Sequence, residues 1–141
     1  MTTEKSLESH TYTAQLRFAG DHLEPAEISA RLNLTPSHTS DQLQSQSATR
    51  KRRAFWAYNG HGEEGFRAEW LSLEDGLGFL IKSLNPKKSE ILAIASQFDG
   101  VWWCGHFQRS FDGGPILSAK LLTELGGYGI PLNIDNYFSD D

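Results

Sequence analysis

One cysteine among 141 residues leaves nothing for an intramolecular disulfide, so a cysteine framework is excluded as the source of stability. The opening Met-Thr-Thr-Glu-Lys-Ser lacks the apolar run of a secretory signal, which makes a cytoplasmic location the expectation. No stretch approaches the ~20 apolar residues needed to span a bilayer, and the longest candidates are broken by glycine or charge. No membrane partner is expected. Basic residues are outnumbered, 13 against 18 acidic ones, and the formal net charge of -5 argues against a protein that coats the phosphate backbone of nucleic acid. What is present is 38% hydrophobic and 11% aromatic content without an internal repeat. That suits a single globular domain burying roughly 68 to 70% of its unfolded surface. The reading is one domain over residues 11–138 with flexible ends at 1–10 and 139–141.

Thr11 to Phe18 alternates strictly, with Tyr12, Ala14, Leu16 and Phe18 on one side and Thr11, Thr13, Gln15 and Arg17 on the other, which predicts a half-buried strand. Gly20-Asp21 turns the chain. Pro25 opens a helix at the position where its missing N–H costs nothing, Leu23 and Ile28 have staple spacing, and Asn33 suits a left-handed cap. From Pro36 to Arg53 the chain is rich in Ser, Thr and Gln, and it reads as a long loop with room for an irregular strand or hairpin arm. Ala54 to Tyr58 is a second strand. Ser72 caps a helix striped by Leu77, Leu80, Ile81 and Leu84, although Gly76 and Gly78 each cost it about 1 kcal/mol relative to alanine.

A further helix carries Ile91, Ile94, Ala95 and Phe98, and Val101 to Phe107 is a third strand. Leu117 and Leu122 have the spacing to staple a last helix around Ser118, with Leu121 and Leu125 on its stripe. A fourth strand runs from Ile130 to Phe138, and Pro131 points to its beginning or to a sheet edge. One-sided alternation is the mark of a mostly antiparallel sheet covered by helices on one face. The expected fold is therefore a two-layer α+β domain with four to five strands, for which a ferredoxin-like order is one candidate.

A resemblance rests on particular segments: Phe18-Ala-Gly-Asp-His-Leu-Glu-Pro-Ala-Glu-Ile28, Leu32-Asn-Leu-Thr-Pro36, the tryptophan strand at Trp56, the Leu80 to Pro86 helix end and Ile134-Asp-Asn-Tyr137. In these the chain resembles a family of small bacterial proteins, the domain-of-unknown-function family numbered 4279. The likeness spans roughly Thr11 to Phe138, at positions that are mostly turns, caps and core. It implies a shared fold and carries over no catalytic residue.

Several reaction signatures fail on their own physics. Gly60-His-Gly-Glu-Glu-Gly65 fits a dinucleotide fingerprint formally, yet Glu63 and Glu64 would face a pyrophosphate and no helix start follows. His61-Gly-Glu63 lacks the paired cysteines of the zinc deaminases. Cys104 and His106 share a strand face, but a lone buried cysteine is an inert core thiol far more often than a nucleophile. Neither a catalytic residue, a metal site nor a cofactor is assigned; a binding role ranks ahead of an enzyme, and an enzyme of unrecognised type, with a site assembled from distant loops, is the third reading.

Two binding surfaces remain. The last strand turns Asn133, Asp135 and Tyr137 away from the core helices, and the first turns Arg17 the same way, where it pairs with Asp135 if the two strands are neighbours. With one tryptophan of the Trp102-Trp103 pair, taken as Trp102, these residues form a docking surface for a protein partner. An immunity-type inhibitor or small regulatory module fits that surface, as does a homodimer covering its bare sheet face. The alternative is nucleic-acid binding through Arg50, Lys51, Arg52 and Arg53 beside Trp56, with cations on phosphates and rings on bases. The overall negative charge disfavours it.

Overall fold

A computed structural model describes residues 9–41, 43–44 and 51–139. In chain order its elements are β1 (His10–Gly20), α1 (Pro25–Leu32), β2 (His38–Ser40), β3 (Leu43–Gln44), β4 (Lys51–Arg52) and β5 (Ala54–Tyr58). There follow α2 (Leu73–Leu84), α3 (Lys88–Ala95), β6 (Asp99–Gln108), α4 (Ala119–Gly126) and β7 (Leu132–Phe138). The five-stranded sheet has the order β2-β5-β1-β6-β7. β1 runs antiparallel to both β5 and β6, β2 runs antiparallel to β5, and β7 lies parallel to β6.

Setting β7 aside, the chain order β1-α1-β2-β5-α2/α3-β6 with β1 and β5 in the middle of the sheet is the split β-α-β of ferredoxin-like domains. The sheet is mixed rather than purely antiparallel because α4 returns the chain to the start of β6, so the next strand must run alongside it in the same direction. The polar stretch over 36–53, read as a long loop with room for an irregular strand or hairpin arm, contains the short edge strand β2 and the two-stranded arm β3-β4. The flexible ends expected at 1–10 and 139–141 fall mostly outside the described residues. Within them, Ser9 accepts from the Arg109 amide and the Ser139 amide donates to Gln108.

The core forms where the alternation places it. Tyr12, Ala14, Leu16 and Phe18 of β1 are buried with Trp56, Tyr58 and Trp102 against Ile28, Leu32, Leu77, Leu80, Leu84, Ile91 and Ile94 of the helices. Pro25 does stand in the first turn of α1, Leu23 and Ile28 are both buried, and Asn33 caps the helix in the left-handed region at φ 54°. The Ser72 hydroxyl accepts from the Asp75 amide at 3.2 Å. Gly76 has a packing reason to sit in α2, because a Cβ there would come within 3.0 Å of the Trp70 ring.

Ser118 caps α4 through the Leu121 amide at 3.1 Å, while Leu122 is 51% exposed and contributes little to the core. The buried stripe is Leu121 and Leu125, and the next residue is turned about 100° away from it by the helical period.

Candidate binding face

Helices pack on one side of the sheet, and strand alternation sends the other set of side chains to a helix-free side. Register fixes its rows. Gln15, Trp103 and Asn133 lie side by side on β1, β6 and β7, followed by Thr13, Gly105 and Asp135, then Thr11, Phe107 and Tyr137. Towards the β2 edge, Arg17 is in register with Ala57, which pairs in turn with His38. The expected orientation of Asn133, Asp135 and Tyr137 is the one observed.

The identity of the tryptophan is corrected. Trp102 is fully buried, in register with Leu16 and packed edge-to-face on Tyr128, so it belongs to the core and not to this surface. Its half-buried neighbour Trp103 is on the helix-free side. The Arg17–Asp135 pairing across adjacent strands is corrected too, since β6 separates β1 from β7. Trp103 spans the gap. The Arg17 guanidinium carbon lies 4.4 Å from the Trp103 ring centroid and 5.7 Å from that of Phe55, with its Nε donating to Gln15 at 2.8 Å. On its other side the indole N–H donates to Asp135 Oδ2 at 2.8 Å, and Asn133 donates to Oδ1 at 3.0 Å.

These two donors, Asn133 first and Trp103 second, hold the Asp135 carboxyl below the usual range, with a smaller contribution from Arg17. Partial burial is the largest influence on Arg17 and draws it down, opposed by Asp135 and Tyr137. The result is a row of aromatic, cationic and anionic groups fixed before any partner arrives.

Beyond this row the face deepens into a cavity of about 580 Å³. Thr11, Phe107 and Tyr137 form its floor, and Phe107 and Tyr137 stack with centroids 5.0 Å apart. One wall comes from the segment before α2. Trp70 bridges Tyr12 through two 2.8 Å backbone hydrogen bonds, and its neighbours Glu69 and Leu71 line the cavity with Arg67. Gln108, Arg109, Phe138 and Ser139 close the end. Neither Arg67 nor Leu71 carries any signal in the sequence, because this segment has neither strand nor helix periodicity.

The nucleic-acid surface does not assemble as expected. Trp56 is fully buried, bonded through its indole N–H to Ser29 at 3.0 Å, so its ring cannot stack on a base. Tyr58 is buried as well, and Phe55 is the one ring of β5 that reaches the helix-free side. Arg53 pairs with Asp99 at 2.9 Å. Arg50 and the side chains of Lys51 and Arg52 lie outside the described residues.

The residues that suggested chemistry are used structurally. Gly60, Gly62 and Gly65 all have positive φ, in turns closed by the Glu63 amide on Gly60 and the Phe66 amide on Glu63, and no helix follows before α2. The Cys104 thiol is buried in the core, and desolvation pushes it up to about 12. His106, also buried, stacks on Tyr12 with centroids 4.7 Å apart. Its Nε2 meets His10 Nδ1 at 2.8 Å and its Nδ1 meets Asn136 Oδ1 at 2.7 Å, while His10 Nε2 donates to the Asp112 carbonyl at 2.6 Å. The chain of contacts ties β1, β6 and β7 to the connection before α4. Among the described residues no group of three or more His, Cys, Asp or Glu side chains is arranged to hold a metal, and no helix is long and apolar enough to cross a membrane.

No curated protein and no solved structure matches the chain. The family model described as "Domain of unknown function (DUF4279)" matches residues 10–139, from the first residue of β1 to just past the end of β7. Every element of the sheet and both layers of the domain fall inside the match, and the protein belongs to the DUF4279 family.

Proposed function

We propose that the protein is a non-catalytic binding module that docks a protein partner on the helix-free face of its sheet, in the manner of a small regulatory or immunity-type inhibitor. The observation that carries this reading is the fixed Phe55–Arg17–Trp103–Asp135 row. Tryptophan and arginine are the residue types that dominate binding energy at interfaces. Here both are held in place by contacts within the fold, so little side-chain freedom remains to be lost when a partner arrives. The groups best suited to chemistry, Cys104 and His106, face the other side of the sheet and are buried there.

Site-specific photo-crosslinking in the source cells tests the reading. A crosslinker at Gln15, in the centre of the face, should capture a discrete protein, and Arg17→Glu should abolish the capture. The same crosslinker at Leu122, on the exposed side of α4, should not capture it. Equal capture from both positions, or capture insensitive to Arg17→Glu, would sink the proposal. A product of twice the chain mass would identify the partner as a second copy of this protein.

A further inference from the structure

We propose that β7 is a self-association edge, at which two copies of the chain pair their β7 strands antiparallel about a two-fold axis at Asn136 and run their sheets into one. This edge is a different surface from the helix-free face and leaves that face open. β7 ends the sheet order, so only one of its sides meets another strand. The phase of its ladder with β6 is fixed by the Trp102 amide, which donates to the Pro131 carbonyl at 2.8 Å, and by the Ser139 amide, which donates to Gln108 at 2.9 Å. Asn133, Asp135 and Tyr137 therefore bond β6, while Leu132, Ile134, Asn136 and Phe138 aim their backbone N–H and C=O groups outward. Among the described residues none of these outward groups has a partner.

The two ends of the sheet are built differently. β2, at the far end, is only three residues long, and a short edge strand is one of the ways a sheet avoids pairing with another chain. β7 has seven residues and no Lys, Arg or Pro among them, and its one charge, Asp135, is held on the helix-free side by Trp103 and Asn133. Its own copy fits it. Antiparallel strands exchange bonds between residues whose backbone groups face each other, so the outward set of β7 matches itself when the chain is turned about a two-fold axis. An axis at Asp135 would oppose two carboxylates directly, which is destabilising. An axis at Asn136 instead sets Asp135 against Tyr137 of the second copy, whose hydroxyl can donate to it, and Ile134 against Phe138. Tyr137 and Phe138 are 45 and 47% exposed, and this register covers both. Leu122 adds apolar surface above the edge. α2 packs on β1 and α4 packs beside α2 with Lys120 and Glu124 turned to it, so Leu122, about 200° round the helix from Lys120, points away from α2 toward the open side of β7.

Sedimentation equilibrium of the full chain tests the proposal over roughly 5 to 200 µM, the range in which an interface at the small end of the size scale half-dissociates. At about 0.15 M salt a Debye length of ~8 Å screens the repulsion between two chains of net charge -5. The mass should rise with concentration from 15.8 kDa toward twice that value. Phe138→Lys sets a charge against Ile134 of the second copy, and Phe138→Pro removes an outward N–H that β6 does not use. Both variants should stay monomeric across the range while keeping the circular dichroism of the parent. Hydrogen exchange separates edge from face. The amides of Ile134, Asn136 and Phe138 should gain protection as the parent is concentrated and should gain none in the variants, whereas those of Asn133 and Asp135 are protected by β6 throughout. A parent that is monomeric at the highest concentration, a dimer that survives both substitutions, or a dimer in which those three amides still exchange freely would each overturn the proposal. The Gln15 crosslink on β1 does not depend on this edge, so failure here leaves the docking face standing.

Discussion

His106→Phe isolates what the buried imidazole contributes beyond its shape. Phenylalanine keeps an aromatic ring in the 4.7 Å stack on Tyr12 and removes both ring nitrogens. His10 Nδ1 and Asn136 Oδ1 then lose partners at 2.8 and 2.7 Å. A fully buried polar group stranded this way costs about 1 to 3 kcal/mol. Asn136 is exposed and can turn to water, and His10 is only half-buried, so the lower part of that range applies, about 1 to 2 kcal/mol. For a chain of this length each kcal/mol lowers the melting temperature by about 3 to 4 °C, so calorimetry at neutral pH should show a drop of ~3 to 8 °C. The ring centroids of the histidines are 5.0 Å apart, near the longest separation that a 2.8 Å nitrogen contact permits, so the nitrogens meet almost head-on and must share a proton. A double-mutant cycle with His10→Phe should therefore find a coupling of at least 0.5 kcal/mol. Strict additivity, or a His106→Phe melt identical to the parent, would refute the argument.

Three further perturbations test other parts of the structure. Asp135 titrates below the usual carboxylate range because Asn133 and Trp103 donate to its charged form. A depressed folded value gives stability that is present above the unfolded carboxyl's range and is lost as the pH falls through the folded value. Trp103→Phe should therefore raise the Asp135 midpoint seen by carbon-detected NMR, and an unmoved midpoint would show that the indole hydrogen bond is not formed. Cys104, with its thiol raised to about 12, should resist a thiol-specific reagent at pH 8 and react at the rate at which denaturant opens the core, so immediate labelling of the native protein would contradict its burial. Gly60→Ala should cost more than about 1 kcal/mol by urea titration, because φ is +86° and the new Cβ would lie 2.5 Å from the Phe79 ring; a neutral result would mean that the turn relaxes freely.

Most of the fold was legible because its elements obey short-range rules. The period-2 pattern of β1, the Pro25 and Ser72 helix starts and the Asn33 cap each follow from two to five neighbouring residues, and each is present. The Leu117–Leu122 spacing at the start of α4 does not say which side of the helix meets the core. In α4 that side is set by Leu121, Leu125 and the following Tyr128, and Leu122 lies off it. The parallel placement of β7 depends on where α4 sets the chain down, a tertiary matter with no local signature. The β3–β4 arm was legible only as room for a hairpin in the polar stretch, because no hydrophobic stripe fixes its ends.

The site was half legible, and the missing half was recoverable from one parity argument. Strand alternation gave Arg17, Asn133, Asp135 and Tyr137 their common side, and the sheet preserves it. The choice between Trp102 and Trp103 depended on which way β6 faces. Cys104 already answered that, because residues two apart share a face and a lone cysteine belongs in the core. Trp102 is therefore inside and Trp103 outside, as the buried Cys104 and the half-buried Trp103 show. The same parity links Arg17 to Asp135. With β6 lying between their strands, a direct ion pair gives way to a relay in which Trp103 offers its ring face to the cation and its N–H to the carboxylate. A residue first weighed as a hydrophobic anchor thus becomes the group that orders both charges around it. Replacing Trp103 disturbs Arg17 and Asp135 together, whereas replacing Trp102 acts through the core alone.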